Sequence, residues 1–252
     1  MRVLVVVFII GFTLLCHADS GAAQEQNELD NTCPAPLSLH TSVHEKGCEL
    51  RSSNKKSPLR EGHWMFFSQK DRLGEEGDYL DGIKQGVWTK YSHSGKKQIE
   101  SSYKDGELSG PHLEYYENEQ PKVTGAYVSG KRSGMWIDYR ENGSKTVECE
   151  FSSDKKNGSC KTFFENGNVR ELQTYSNGAK NGLYEKYYVT GTKKVEGVFL
   201  NDTRNGIFRA YDRKGTLIHE VEYLAGERVR TRETSNKSNN EAFSKALPHI
   251  SK

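Results

Sequence analysis

Five cysteines, eight histidines and a recurring column of glutamates are the places from which chemistry would have to come in this 252-residue chain. Cys33, His40, His44 and Cys48 have the residue types of a zinc site. In an exported protein the same two cysteines would instead pair as a disulfide. Cys149 and Cys160 form a second candidate pair. The remaining histidines do not converge: His63, His93, His112 and His219 fall at unrelated places in the pattern described next. Ser94-Gly-Lys-Lys97 matches S-x-x-K, which carries no weight in a chain rich in serine and lysine. There is no G-x-S-x-G, no H-E-x-x-H and no phosphate-binding glycine loop. The reading is a protein that is not an enzyme, with no cofactor and no bound metal.

The elements that would position any site announce themselves by period. Glycine recurs at Gly62, Gly86, Gly110, Gly134, Gly158, Gly182 and Gly206, always 24 residues apart. A fixed period without insertions is the mark of a repeat array. With each glycine as position 1, position 3 carries Trp64, Trp88, His112, Trp136, Cys160, Tyr184 and Phe208. Position 6 is always aromatic: Phe67, Tyr91, Tyr115, Tyr139, Phe163, Tyr187 and Tyr211. Position 18 is always aromatic too, from Tyr79 to Tyr223. Acidic residues recur at position 15, as Glu76, Glu100, Glu148, Glu196 and Glu220, facing lysines and arginines in a solvated ladder.

Turns such as Glu141-Asn-Gly-Ser144 favour two-residue primed hairpin loops. Two such loops at positions 9–10 and 21–22, with two ten-residue strands, fill the repeat. The predicted fold is all-β: an elongated, single-layer antiparallel sheet of seven 24-residue β-hairpin repeats over residues 62–229, with identical positions stacked in rows. In that register position 18 faces a position-1 glycine on both sides, and each missing side chain makes room for a ring. Cys149 falls directly opposite Cys160, so the two are expected to bridge, leaving Cys33 to pair with Cys48. Positions 3 and 18 share one face, joined by Tyr116, Phe164 and Tyr188 at position 7. Position 6 lies on the other face, as an aromatic strip for binding, unless a bulge turns it into the same core.

The skeleton G-x-W-x-x-Y-x-x-N-G, then an aromatic, then D-G-x-x-x-G, resembles the variant MORN repeat, which is also the repeat of the bacterial YwqK-type antitoxin family. The resemblance implies a β-hairpin array that binds proteins or, in some members, membranes.

Residues 1–23 read as a secretory signal peptide: Arg2, then the apolar run Val3–Leu15, then small-residue cleavage sites after Ala18 or after Ala23, the latter giving the 1–23 boundary. Residues 24–61 form a polar N-terminal segment with a Cys33–Cys48 loop, and residues 230–252 a disordered basic tail. The array has 25 basic and 25 acidic residues, a balance that argues against nucleic acid and weighs against anionic membranes. The expected function is an exported, periplasmic or secreted, scaffold that binds another protein. A membrane-surface binder or an antitoxin-like neutralising partner is the alternative.

Overall fold

The computed structural model describes residue 33, residues 37–42, 45–50 and 59–68, and residues 70–233. The signal-peptide reading and most of the basic tail lie outside the described residues. The chain forms one sheet of 17 strands, from Leu37–Thr41 to Glu227–Glu233. Each strand pairs antiparallel with its neighbours in sequence. The all-β array of consecutive hairpins expected from the period is therefore what forms. Two strands, Leu37–Thr41 and Glu45–Leu50, pair ahead of the first repeat, and the last strand continues to Glu233.

Both hairpin loops differ in detail from the sequence reading. The second loop sits at positions 20–21, one residue earlier than expected. Its two residues both have positive φ, as in Asp81 (52°) and Gly82 (80°) or Asn177 (52°) and Gly178 (94°). That is the type I′ turn, whose twist suits adjoining strands and which selects Asp, Asn and Gly. The turn near the Cys149–Cys160 pair is thus Ser153–Asp154, not Asp154–Lys155. The first loop is not a two-residue turn. Ser92 N–H donates to the Lys96 carbonyl and Gly95 N–H to the Ser92 carbonyl, with Gly95 at φ 84°. This is a three-residue loop closed by a left-handed residue, a common hairpin solution.

Moving the second loop by one residue forces a bulge at the phased glycine. Glu76 pairs with Thr89 but Asp78 pairs with Gln85, so extra residues around Gly86 oppose Gly77. Gly86 has φ 64°, and all seven phased glycines share the left-handed region. The phased glycine is therefore a backbone requirement. Tyr79 does pair with Gly62, but on its other side it pairs with Lys84, not Gly86. A Cβ on Gly62 would meet nothing within 4 Å, so room for the ring is not why that residue is glycine.

The glycine that makes room for a ring is at position 16. A Cβ on Gly77 would lie 2.4 Å from the Trp88 ring, one on Gly125 2.3 Å from Trp136, and one on Gly197 2.4 Å from Phe208. Each indole or phenyl at position 3 lies flat over the preceding repeat's glycine. The tryptophan N–H groups donate to position-17 carbonyls, Trp88 to Asp78 at 3.1 Å and Trp136 to Ala126 at 3.2 Å. Position-18 rings then meet position-3 rings edge-on, as with Tyr79 and Trp88 (4.9 Å, 80°) and Tyr127 and Trp136 (5.0 Å, 80°). This chain of rings is the core of a sheet with one buried face; Trp64, Trp88, Phe208 and Tyr223 are all buried.

Successive repeats are also tied at both edges. The second residue of each type I′ turn donates its N–H to the position-23 carbonyl of the repeat before, as Gly82 to Arg60 (2.8 Å) and Gly226 to Arg204 (3.0 Å). On the opposite edge the Tyr116 hydroxyl donates to the Tyr139 carbonyl (2.7 Å) and Tyr188 to Tyr211 (2.9 Å). The position-7 tyrosines are thus edge ties between loops.

Candidate binding faces

Both predicted cysteine pairs are joined. Cys33 and Cys48 are bonded with Cα atoms 5.9 Å apart, and Cys149 and Cys160 with Cα atoms 4.0 Å apart. Of the zinc set, Cys33 and Cys48 are spent on each other and His44 lies outside the described residues. Cys149 and Cys160 occupy position 16 and the next position 3, the places held elsewhere by Gly and Trp.

The same two places around the third repeat hold Ser101 and His112. Ser101 Oγ and His112 Nδ1 are 2.8 Å apart, and His112 Nε2 is 3.5 Å from Glu114 Oε1. A serine, histidine and carboxylate in series have the order of a nucleophilic relay. Here Ser101 is 7% and His112 8% exposed, with the imidazole packed against Tyr127 and Trp136 in the ring row. The trio is a polar substitute for a Gly–Trp pair. A shallow depression of about 520 Å³ lies between the first two hairpin loops, lined by Arg72, Tyr91 and His93.

The position-6 row lies on the face opposite the ring core, as the register expects. Phe67, Tyr91, Tyr115, Tyr139, Phe163, Tyr187 and Tyr211 are each half-buried. Three of the tyrosine hydroxyls are tied down by position-15 acids. Tyr91 donates to Glu76, Tyr115 to Glu100 (2.5 Å) and Tyr211 to Glu196 (2.6 Å). Where position 15 is Leu172, Tyr187 donates instead to Glu185 on its own strand (2.5 Å). Partial burial and the carboxylate bond push the Tyr115, Tyr187 and Tyr211 hydroxyls up to about 12. Lysines at position 12 complete the ladder: Lys145 to Glu148 (2.5 Å) and Lys193 to Glu196 (2.8 Å). The Lys145 bond holds Glu148 below the usual carboxylate range. For Glu100, burial acts upward but bonds from Lys97 and Tyr115 outweigh it.

The other half of this second face is apolar and open. Position 19 presents Leu80, Val128, Leu200 and Leu224, each at least half exposed. Position 2 adds Val87, Met135, Leu183 and Ile207. Leu183 pairs directly across the strands with Val198, which is 45% exposed, and Leu80 with Ile83. Sequence reading passed over these positions because no one residue type fills them.

It also passed over a row of cations on the first face. Position 23 holds Arg60, Lys84, Arg132, Lys156, Lys180, Arg204 and Arg228, interrupted only by Leu108. The six cations from Arg60 to Arg204 lie over rings of the core row: Lys84 Nζ is 3.6 Å from the Trp88 centroid, and the Arg132 guanidinium 4.2 Å from that of Phe151. The aliphatic stems cover apolar surface while the charges reach water. The signal was present as a basic residue beside every second turn. An overall charge count hides it, because acids on the other face cancel it.

No curated protein matches the chain. Residues 84–105 and 156–177 match the family model described as MORN repeat variant. Each matched stretch begins at a position-23 lysine and ends at the first residue of a type I′ turn, so it is one hairpin of this sheet. This repeat type is commonly a protein- or membrane-binding scaffold and not a typical enzyme family, and the chain carries MORN-variant repeats at those two places.

Proposed function

We propose that the protein is an exported, non-enzymatic scaffold that binds another protein along its second face. The observation that supports this reading is the open apolar band formed by Leu183, Val198, Leu200, Ile207 and Leu224. Contiguous apolar surface of that kind on a polar protein marks an interaction site. The half-buried position-6 rings extend the band, so Phe163, Tyr187 and Tyr211 lie within reach of the same partner. Two disulfides suit an oxidising compartment, consistent with export.

The test is crosslinking capture by the mature protein in its native compartment, repeated with a Leu183→Asp, Leu200→Asp variant. Both leucines are exposed, and circular dichroism of the variant checks that it folds. A stoichiometric partner held in high salt by the wild type and lost by the variant supports the reading. Equal capture by both, or capture of lipid alone, overturns it.

A further inference from the structure

The cations at position 23 are not equivalent along the array. In the N-terminal half each is neutralised: Arg60 by Glu45 (2.6 Å), Lys84 by Glu75 (2.8 Å) and Arg132 by Asp154 (3.4 Å). In the C-terminal half the charged groups of Lys156, Lys180 and Arg204 have no carboxylate within 4 Å among the described residues. Of the acids on that stretch, Glu171 is engaged by Lys186 at 3.4 Å, and Asp202 accepts the backbone N–H of Lys180 at 2.8 Å. The three cations stand over Tyr175 (5.0 Å), Phe199 (5.2 Å) and the pair Phe208 and Tyr223 (5.4 and 5.2 Å). The Arg204 guanidinium also donates to the Tyr223 hydroxyl at 3.1 Å, which fixes its orientation.

The repeat sets their spacing. Successive position-23 residues lie two strands apart, about 9.6 Å at the ordinary inter-strand distance. A ligand that satisfies all three must carry negative groups at that interval. A polyproline II chain repeats every three residues, about 9.3 Å. An extended β-chain brings a side chain back to one face about every 6.7 Å and misses the interval, and two turns of an α-helix, about 10.8 Å, drift by about 1.2 Å per cation against about 0.3 Å for polyproline II. The interior of a sheet face offers no free backbone groups, so strand addition at this place is excluded. Polyproline II makes no internal backbone hydrogen bonds and is solvated in the free state, so it needs none from its partner. The half-buried rings of Tyr175 and Phe199 between the cations present apolar edges to the intervening residues.

We propose that Lys156, Lys180 and Arg204, over the Tyr175–Phe199–Tyr223 rings, form a docking track for an acidic protein segment in the polyproline II conformation, with a carboxylate at every third residue. The track is on the face opposite the apolar band, so the two readings stand or fall separately.

The experiment measures fluorescence anisotropy with the full mature chain and two labelled peptides of equal charge, (Glu-Pro-Pro)4 and (Glu-Pro)4. Saturable binding of the first at physiological salt is expected, with the second at least about tenfold weaker, a difference of about 1.4 kcal/mol. Lys180→Gln should weaken (Glu-Pro-Pro)4 binding about tenfold. The triple variant Lys156→Gln, Lys180→Gln, Arg204→Gln should abolish it, and Lys84→Gln should leave it unchanged. Circular dichroism of each variant confirms the fold. Equal binding of both peptides, or retained binding by the triple variant, overturns the proposal. So does binding to phosphatidylserine vesicles that the triple substitution removes when neither peptide binds; that outcome makes the track a lipid-surface site.

Discussion

The indole of Trp88 lies against the α-carbon of Gly77, so closely that a single added methyl would sit 2.4 Å from the ring. Neighbouring repeats keep this contact by changing both partners together: Gly125 under Trp136, Gly197 under Phe208, Ser101 bonded to His112, Cys149 bonded to Cys160. Position 16 and the next position 3 thus act as a pair: a ring lying flat on the strand needs glycine beneath it, and the non-glycine partners Ser101, Cys149 and Gln173 face His112, Cys160 and Tyr184 instead.

Two glycine classes should therefore respond differently to alanine. Gly77→Ala should cost about 1–3 kcal/mol by overpacking, and much less when made in a Trp88→Leu background. Gly86→Ala should cost about 1–2 kcal/mol because its φ is left-handed, and no ring substitution should recover that. Urea unfolding of the single and double variants decides between them. Recovery of Gly86→Ala by Trp88→Leu would contradict the assignment.

The buried Ser101–His112 bond should show the same coupling. His112→Trp alone drives an indole into the Ser101 side chain, and Ser101→Gly alone leaves the imidazole without its partner. Each should destabilise by about 1–3 kcal/mol, and the double variant should lie nearer the wild type than either. A double-mutant cycle reads the coupling directly. Additive costs would show that the two residues do not act as a pair.

The period and the aromatic rows made the sheet legible from the sequence, because a phased 24-residue repeat leaves few other ways to bury the rings. The register was legible wherever it rests on pairing far from the turns, which is why Cys149 falls opposite Cys160. The bulge was not legible. Gly86 has the same identity whether it frees space or adopts a left-handed φ, and only the backbone geometry separates the two. Position 16 escaped notice because Gly, Ser, Cys, Gln and Val fill it, a set that makes sense only beside its cross-strand partner. The unpaired cations escaped for a similar reason. Lys84 and Lys180 occupy the same repeat position, each with a glutamate at position 14 of its repeat, and what separates them is that Glu75 bonds Lys84 whereas Glu171 bonds Lys186.

The Cys149–Cys160 bond closes a short loop, with a sequence separation of 11, and its removal by Cys149→Ser together with Cys160→Ser should cost about 2–3 kcal/mol. Replacing the same two residues by the repeat's own solution, Cys149→Gly with Cys160→Trp, should recover more than half of that loss without a disulfide. Thermal unfolding of the three proteins under identical oxidising conditions makes the comparison. If the Gly–Trp variant is no more stable than the double-serine variant, the glycine–ring pairing does not transfer to this repeat.

Acid should act on the second face and the first face with opposite signs. The Lys145 bond places Glu148 below its ordinary value of 4.5 in the folded state. Its contribution is present above that value and fades as pH falls through the lowered one. Glu100 and Glu196 behave alike, burial acting upward but the lysine and tyrosine bonds prevailing. Asp138 is the reverse case: burial, then the nearby Glu114 charge, raise it above 3.8. The folded state therefore takes up its proton more readily than the unfolded chain, and stability from this group falls as pH rises through the interval between the two values. Urea midpoints measured from pH 7 to pH 3 should decline below about 4.5, set by the glutamate ladder. Glu148→Gln should flatten that decline. Asp138→Asn should raise the midpoint at pH 7 and converge on the wild type at pH 3. A Glu148→Gln profile as steep as the wild type would show that the lysine–glutamate ladder is decoration on the second face and not part of what holds it together.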